Sequence, residues 1–160
     1  MAVPICCATS AVNGGWLLDA AVSCAQVCCA QFGNPALKTV ANSAFANTTC
    51  TKITLPESVT KYGGYLFSGA ENIEEVVFLS PASISSGGLL SGVSTIKTVT
   101  FYGGAQNLLI GTVPSGITTV GFLTTPPAWD VKTTFPDATT VVIPESMAWA
   151  KELGRGVFTP

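Results

Sequence analysis

The sequence predicts a repeat solenoid, a stack of short coils in which each coil adds one strand to a parallel sheet. Three observations carry this. One strand pattern recurs five times, at residues 50–55 (CTKITL), 73–78 (IEEVVF), 96–101 (IKTVTF), 117–122 (ITTVGF) and 138–143 (ATTVVI). Its central residues Ile53, Val76, Val99, Val120 and Val141 lie 23, 23, 21 and 21 residues apart. A fixed period in the twenties marks coils that bury their apolar side only by stacking on neighbours. Within each copy apolar and polar residues alternate, with Ile53 and Leu55 turned in and Thr54 turned out, as a pleated strand with one buried face requires. Glycine pairs at Gly63 and Gly64, Gly87 and Gly88, and Gly103 and Gly104 punctuate the connections, where a positive φ strains glycine least.

Taken from the start, residues 1–15 are small and glycine-containing, and read as irregular or extended. Residues 16–32 (WLLDAAVSCAQVCCAQF) carry one charge and no Gly or Pro, which predicts a helix. Gly33 stands where a C-cap belongs, and Asn34–Pro35 blocks continuation. This helix is apolar nearly all round, so it is expected to be buried as an N-terminal cap over the first coil, or against a neighbouring subunit. The predicted domains are accordingly an N-terminal Cys-rich segment and capping helix, 1–34, and the solenoid with its C-terminal cap, 35–160. From Leu37 the connections repeat as well. Phe45, Phe67 and Leu89 are 22 residues apart, each five after an apolar anchor at Val40, Tyr62 or Ile84. With these residues and the inward strand positions forming one core, five coils at about 4.8 Å per step give a sheet roughly 20–25 Å long.

Hydrophobic residues make up 48% of the 160-residue chain and charged residues only 10%, against about 25% charged in an ordinary globular protein. Either Thr and Ser coat the surface, or part of the apolar excess faces other subunits, since freely diffusing monomers seldom expose large apolar patches. The net charge is −2, and seven Lys and Arg are scattered along the chain. Nucleic-acid binding is excluded for want of a basic, phosphate-neutralising footprint. No apolar run reaches the length of a membrane-spanning helix. The start, MAVPICCATSAVNGG, lacks the positive segment of a secretory signal.

Five of the six cysteines, Cys6, Cys7, Cys24, Cys28 and Cys29, precede the repeats, and Cys50 opens the first strand. An even count permits disulfides among the first five in an oxidising compartment. Buried thiols acting as small apolar groups are the alternative reading. A zinc site is disfavoured because the Cys-x3-Cys-Cys spacing is not a usual metal knuckle and the chain has no His.

The stretch LKTVANSAFANTTCTKITLPESVTKYGGYLFSGAENIEEVVF, residues 37–78, resembles the BspA-like leucine-rich repeats of bacterial surface proteins. Their units are similar to SVTSIGDYAFSGCTSLTSVTIP, and SVTKYGGYLFSG at 58–69 follows that closely. The closing segment resembles the family too, with Thr125-Pro126-Pro127, then Val142 to Ser146 and a short helix through Leu153. The similarity covers residues 36–153 and fades at 106–116, where the Phe is lost; the Cys-rich N-terminal segment lies outside it. The resemblance implies a short, right-handed leucine-rich-repeat solenoid with a curved parallel sheet, brief helical pieces and a C-terminal capping helix. It also implies recognition of host or partner proteins by a repeat face, in an extracellular or surface setting.

Catalytic chemistry finds little to stand on. Without His the commonest general base and metal ligand are missing, and no nucleophile elbow, phosphate-cradling loop or dinucleotide fingerprint is present. Glu74 and Glu75 are adjacent on a strand and so are expected on opposite faces, unable to share a substrate. Neither enzymatic activity nor a cofactor is expected. The outward columns are the better functional candidates: Thr54, Val77, Thr100, Gly121 and Val142, flanked by Lys52, Glu75, Thr98, Thr119 and Thr140. They predict a flat, nearly uncharged, Thr-rich partner-binding face, unless Thr is there only because it favours strands and keeps an exposed face soluble. Trp16, Leu17 and Trp149 lie in the terminal segments, where they either plug the stack or anchor end-to-end contacts. Asn47-Thr48-Thr49 is a glycosylation sequon, unremarkable in so Thr-rich a chain. Two functions follow: a recognition or adhesion module, or a structural subunit of a larger assembly such as a virion or extracellular filament. The expected partner is therefore another protein or copies of this chain, the latter as a homo-oligomer.

Overall fold

The computed structural model describes the backbone of residues 9–12, 15–18, 30–31, 37–82, 84, 88–103, 113–125, 131–146 and 158–159, with side chains in the 37–146 part, Lys132 excepted. The strands among these residues are β1 (Thr9–Val12), β2 (Gly15–Leu18), β3 (Ala30–Gln31), β4 (Leu37–Val40), β5 (Lys52–Leu55), β6 (Lys61–Tyr62), β7 (Glu75–Phe78), β8 (Thr98–Phe101), β9 (Thr119–Phe122), β10 (Thr140–Val142) and β11 (Phe158–Thr159). They fall into two sheets.

The main sheet runs β3-β5-β7-β8-β9-β10-β11 and is parallel throughout. Its register is strict: Ile53 pairs with Val76, Val76 with Val99, Val99 with Val120 and Val120 with Val141. The residues that define the sequence period thus stack directly upon one another. They form strands because a β-branched residue on a pleated, half-buried surface meets its equivalent from the next coil. In the second sheet β2, β4 and β6 are parallel and β1 folds back antiparallel on β2. The turns add a third ladder. Phe45 N–H donates to the Leu66 carbonyl at 2.8 Å and Asn47 N–H to Ser68 at 2.9 Å; one coil on, Leu66 donates to Leu89 at 3.1 Å and Gly69 to Gly92 at 3.2 Å. Coil-to-coil bonding therefore reaches the connections, where backbone groups would otherwise be left unpaired.

Two aromatic columns run through the core. Phe45 and Phe67 stack with ring centroids 5.6 Å apart, and buried Leu89 takes the equivalent place in the next coil. Phe78, Phe101 and Phe122 form the second column at 5.5 and 6.1 Å, with the Tyr62 ring edge-on to Phe78 at 5.5 Å and Phe135 6.0 Å from Phe101. The expected core of inward strand residues with Phe45, Phe67 and Leu89 is present and fully buried. The second column, set by the last residue of each strand, had not been singled out as a stack.

The helical caps are not supported. Trp16 to Leu18 and Ala30 to Gln31, placed by the sequence inside one helix, are strand: β2 pairs with β4 and β3 with β5. An open strand edge from the next coil outweighs helix propensities that differ by fractions of a kcal/mol per residue. Both sheets therefore continue across residue 34. At the other end, Glu145 and Ser146 open a 3₁₀ turn and the remainder of the expected capping helix lies outside the described residues. The one α-helical segment among the described residues is the single turn α1 (Val131–Thr134), closed by Phe135 N–H donating to the Val131 carbonyl at 2.7 Å.

Candidate recognition face

The outer surface of the main sheet is built from the strands upward. In β5, β7 and β8 the second and fourth residues are buried and the first and third are partly exposed. Strict register then converts alternation within a strand into columns across strands. One column is Lys52, Glu75, Thr98, Thr119 and Thr140; the other is Thr54, Val77, Thr100, Gly121 and Val142. Every expected face residue is brought to this one surface. At its upper end Lys52 Nζ lies 2.7 Å from Glu75 Oε1, both side chains substantially exposed. Gly121 is the exception to exposure in its column. A Cβ there would come within 2.8 Å of the Thr100 hydroxyl, so the Thr100 side chain lies over the site and only glycine leaves it room.

A third column was not anticipated, and it corrects the reading of Glu74. Two successive amides at the entrance to β7, β8, β9 and β10 converge on one carbonyl of the preceding coil. Glu74 and Glu75 both donate to Thr51, Lys97 and Thr98 to Glu74, Thr118 and Thr119 to Lys97, and Thr139 and Thr140 to Thr118, all at 2.8–3.1 Å. This bulge-like step suspends the alternation for one residue. Glu74, expected opposite Glu75, is exposed on the solvent side, as are Thr51, Lys97, Thr118 and Thr139. The signal was in the sequence: the residue before each strand is polar in all five copies, which simple alternation does not require.

The face is thus wider than period-two reasoning allows and electrostatically simple. Its charged residues, Lys52, Glu74, Glu75 and Lys97, are two of each sign and belong to the coils of β5, β7 and β8. From β8 onward the other residues of the columns are Thr98, Thr100, Thr118, Thr119, Thr139 and Thr140 with Gly121 and Val142. At the C-terminal rim Val142 and Leu123 are exposed at 38% and 40%. Thr139 Oγ1 donates to the Thr118 carbonyl at 3.4 Å and, just beyond the strands, Thr124 Oγ1 donates to the Tyr102 carbonyl at 2.7 Å.

Of the other sites expected from sequence, Trp16 and Leu17 lie on β2, either side of an irregularity in its pairing with β4. Trp149, Cys6, Cys7, Cys24, Cys28 and Cys29 lie outside the described residues. Cys50 is buried in the core. Among the described residues no three His, Cys, Asp or Glu side chains gather as a metal ion would need, and no helix is long and apolar enough to cross a membrane. The acidic turn residue Asp137 serves the stack, its carboxylate accepting from Gly116 N–H at 2.9 Å.

Comparison with curated proteins and with solved structures returns no match. The BspA-type leucine-rich-repeat region does match, in six copies over residues 23–121, well over half of the sequence. It begins within the segment that the resemblance had left out. Strand pattern, register and family match agree, and the chain belongs to the BspA-type leucine-rich-repeat family.

Proposed function

We propose that this chain is a non-enzymatic recognition or adhesion module that binds another protein through the outer face of its main sheet, at the cell surface or outside the cell. The family is one of protein-interaction repeats, not typically enzymatic. The observation that carries the choice of face is the strict alignment of three outward columns over five coils. A partner meets a surface of Thr hydroxyls and valines whose four charges cancel. Such a surface offers shape, short hydroxyl contacts and an apolar rim at Val142 and Leu123. It gives little electrostatic steering, so association is expected at an unsteered rate that changes little with salt.

The test compares the chain with a face variant, Thr98→Arg with Thr140→Arg, and a control, Glu71→Arg, exposed on a connection. Folding is checked by circular dichroism, and binding to an array of purified extracellular-matrix and cell-surface proteins is measured by surface plasmon resonance. The expected result is a partner bound equally by wild type and control, at least tenfold weaker with the face variant, and little changed between ionic strengths of about 0.05 and 0.5 M. Undiminished binding by the face variant overturns the choice of face. Sedimentation decides between recognition and assembly: a 16.4 kDa monomer is expected, whereas large regular particles would establish a self-assembling subunit.

A further inference from the structure

We propose that Asn47 is an acceptor site for an N-linked glycan. Asn47-Thr48-Thr49 is the one Asn-x-Ser/Thr sequence in the chain, and the bulky glycan such a triplet carries must sit at the surface of the folded protein. The fold meets that condition. Asn47 and Thr49 are exposed while Thr48 between them is 3% exposed, its hydroxyl accepting from Cys50 N–H at 3.3 Å. The acceptor amide and the required hydroxyl therefore emerge from the same surface.

The side chain is also turned the right way. Asn47 has φ of 55°, and its backbone N–H is bonded to Ser68 in the turn ladder. Its Oδ1 lies over Gly69 of the next coil, only 2.4 Å from where a Cβ would stand, with Cγ at 3.4 Å and Nδ2 beyond 4 Å. The carboxamide oxygen is thus the atom set against the neighbouring coil, and Nδ2, which would carry the sugar, lies farther from it. The site is in the turn ladder and not in the main sheet.

The donor would be a lipid-linked oligosaccharide pyrophosphate. Nδ2 forms a bond to the anomeric carbon as that carbon's bond to the pyrophosphate oxygen breaks. The lipid pyrophosphate leaves with the electron pair, and the amide nitrogen gives up one proton to solvent.

The experiment expresses the full chain behind a cleavable secretion leader in a eukaryotic secretory host and takes the intact mass of the secreted protein, before and after peptide-N-glycosidase. The expected result is one glycan per chain, removed by the enzyme with conversion of residue 47 to Asp. Asn47→Asp, which keeps the shape and tolerates the left-handed turn, should abolish it, as should Thr49→Ala, while Thr49→Ser should retain it. Secretion of wild-type protein at its bare peptide mass, or a glycan that survives in Asn47→Asp, overturns the proposal.

Discussion

Phe67 has no exposed surface and stacks on Phe45 at a centroid distance of 5.6 Å, so truncation removes both burial and a ring partner. Phe67→Ala should cost about 3–5 kcal/mol, the range for aromatic truncation in a close-packed core, read from the denaturant midpoint. Phe67→Asp should do worse by burying an unpaired charge; wild-type-like melting of either variant would refute the stacking of these coils. Tyr62 tests a different term. Its hydroxyl is buried and, among the described residues, has no hydrogen-bond partner of good geometry. Burial pushes the phenol from 10.0 up to about 12, the neighbouring Ser80 hydroxyl pulling the other way. Below pH 10 the phenol is neutral in both folded and unfolded chains and the full contribution is present. Between about 10 and 12 only the unfolded chain ionises, so stability falls as pH rises and levels off once the folded phenol titrates. Tyr62→Phe should therefore be near neutral at pH 7 and lose about 1–2 kcal/mol less than wild type between pH 9 and 12, measured by denaturation at both values. Equal losses would show that another group governs the alkaline limb.

Turns and strands depend on how closely consecutive coils approach. A Cβ on Gly63 would stand 2.3 Å from the Asn42 nitrogen and 2.5 Å from the Ala41 carbonyl carbon, both backbone atoms of the preceding turn. A Cβ on Gly69 would meet only the end of the Asn47 side chain, although φ is +71°. Gly69→Ala should cost about 1–2 kcal/mol for the left-handed conformation. Gly63→Ala should cost more, because main chain cannot swing aside and coils 22 residues apart must separate. Thermal melts of the two variants rank them, and a milder Gly63→Ala would mean the turns do not seat on one another as described. The same closeness explains what could be read from sequence. Ile53, Val76, Val99, Val120 and Val141 were legible as strands because alternation and period are local patterns repeated five times. Residues 16–18 and 30–31 were misread as helix because nothing local reports the partner edge that β4 and β5 offer. Val40, Tyr62 and Ile84 were recognised as anchors, but not that β4 and β6 form a second sheet. On the candidate face two columns followed from alternation, while Thr51, Glu74, Lys97, Thr118 and Thr139 did not. Their exposure comes from paired amides sharing one carbonyl, a feature of coil-on-coil bonding that no single strand encodes.

Across the whole molecule each main-sheet strand pairs only with the coil before and the coil after it. Stability should then behave as a sum of coil and interface terms along one dimension. Val99 and Val141 occupy the same register position, Val99 in β8 with two coils on either side in the β5–β10 stack and Val141 in β10 beside β11. Both are buried, so an Asp at either imposes a similar local burden and only position in the stack differs. Val141→Asp should release the lower coils alone: amides of β9 and β10 lose protection from hydrogen exchange while β5 and β7 keep theirs. Val99→Asp should break the stack at its middle, remove a neighbour from both halves and lower protection in β5, β7 and β9 together. The upper half also carries the turn ladder of residues 43–47, 65–69 and 88–92, so whatever protection survives Val99→Asp should lie there. Residue-resolved exchange on the two variants distinguishes the outcomes. If Val141→Asp unfolds β5 as completely as Val99→Asp does, the stack is one all-or-none unit and the recognition face cannot yield locally at either end. If the losses are graded, the lower, uncharged end of the face can open without unfolding the rest, and a partner that orders it will raise protection there first.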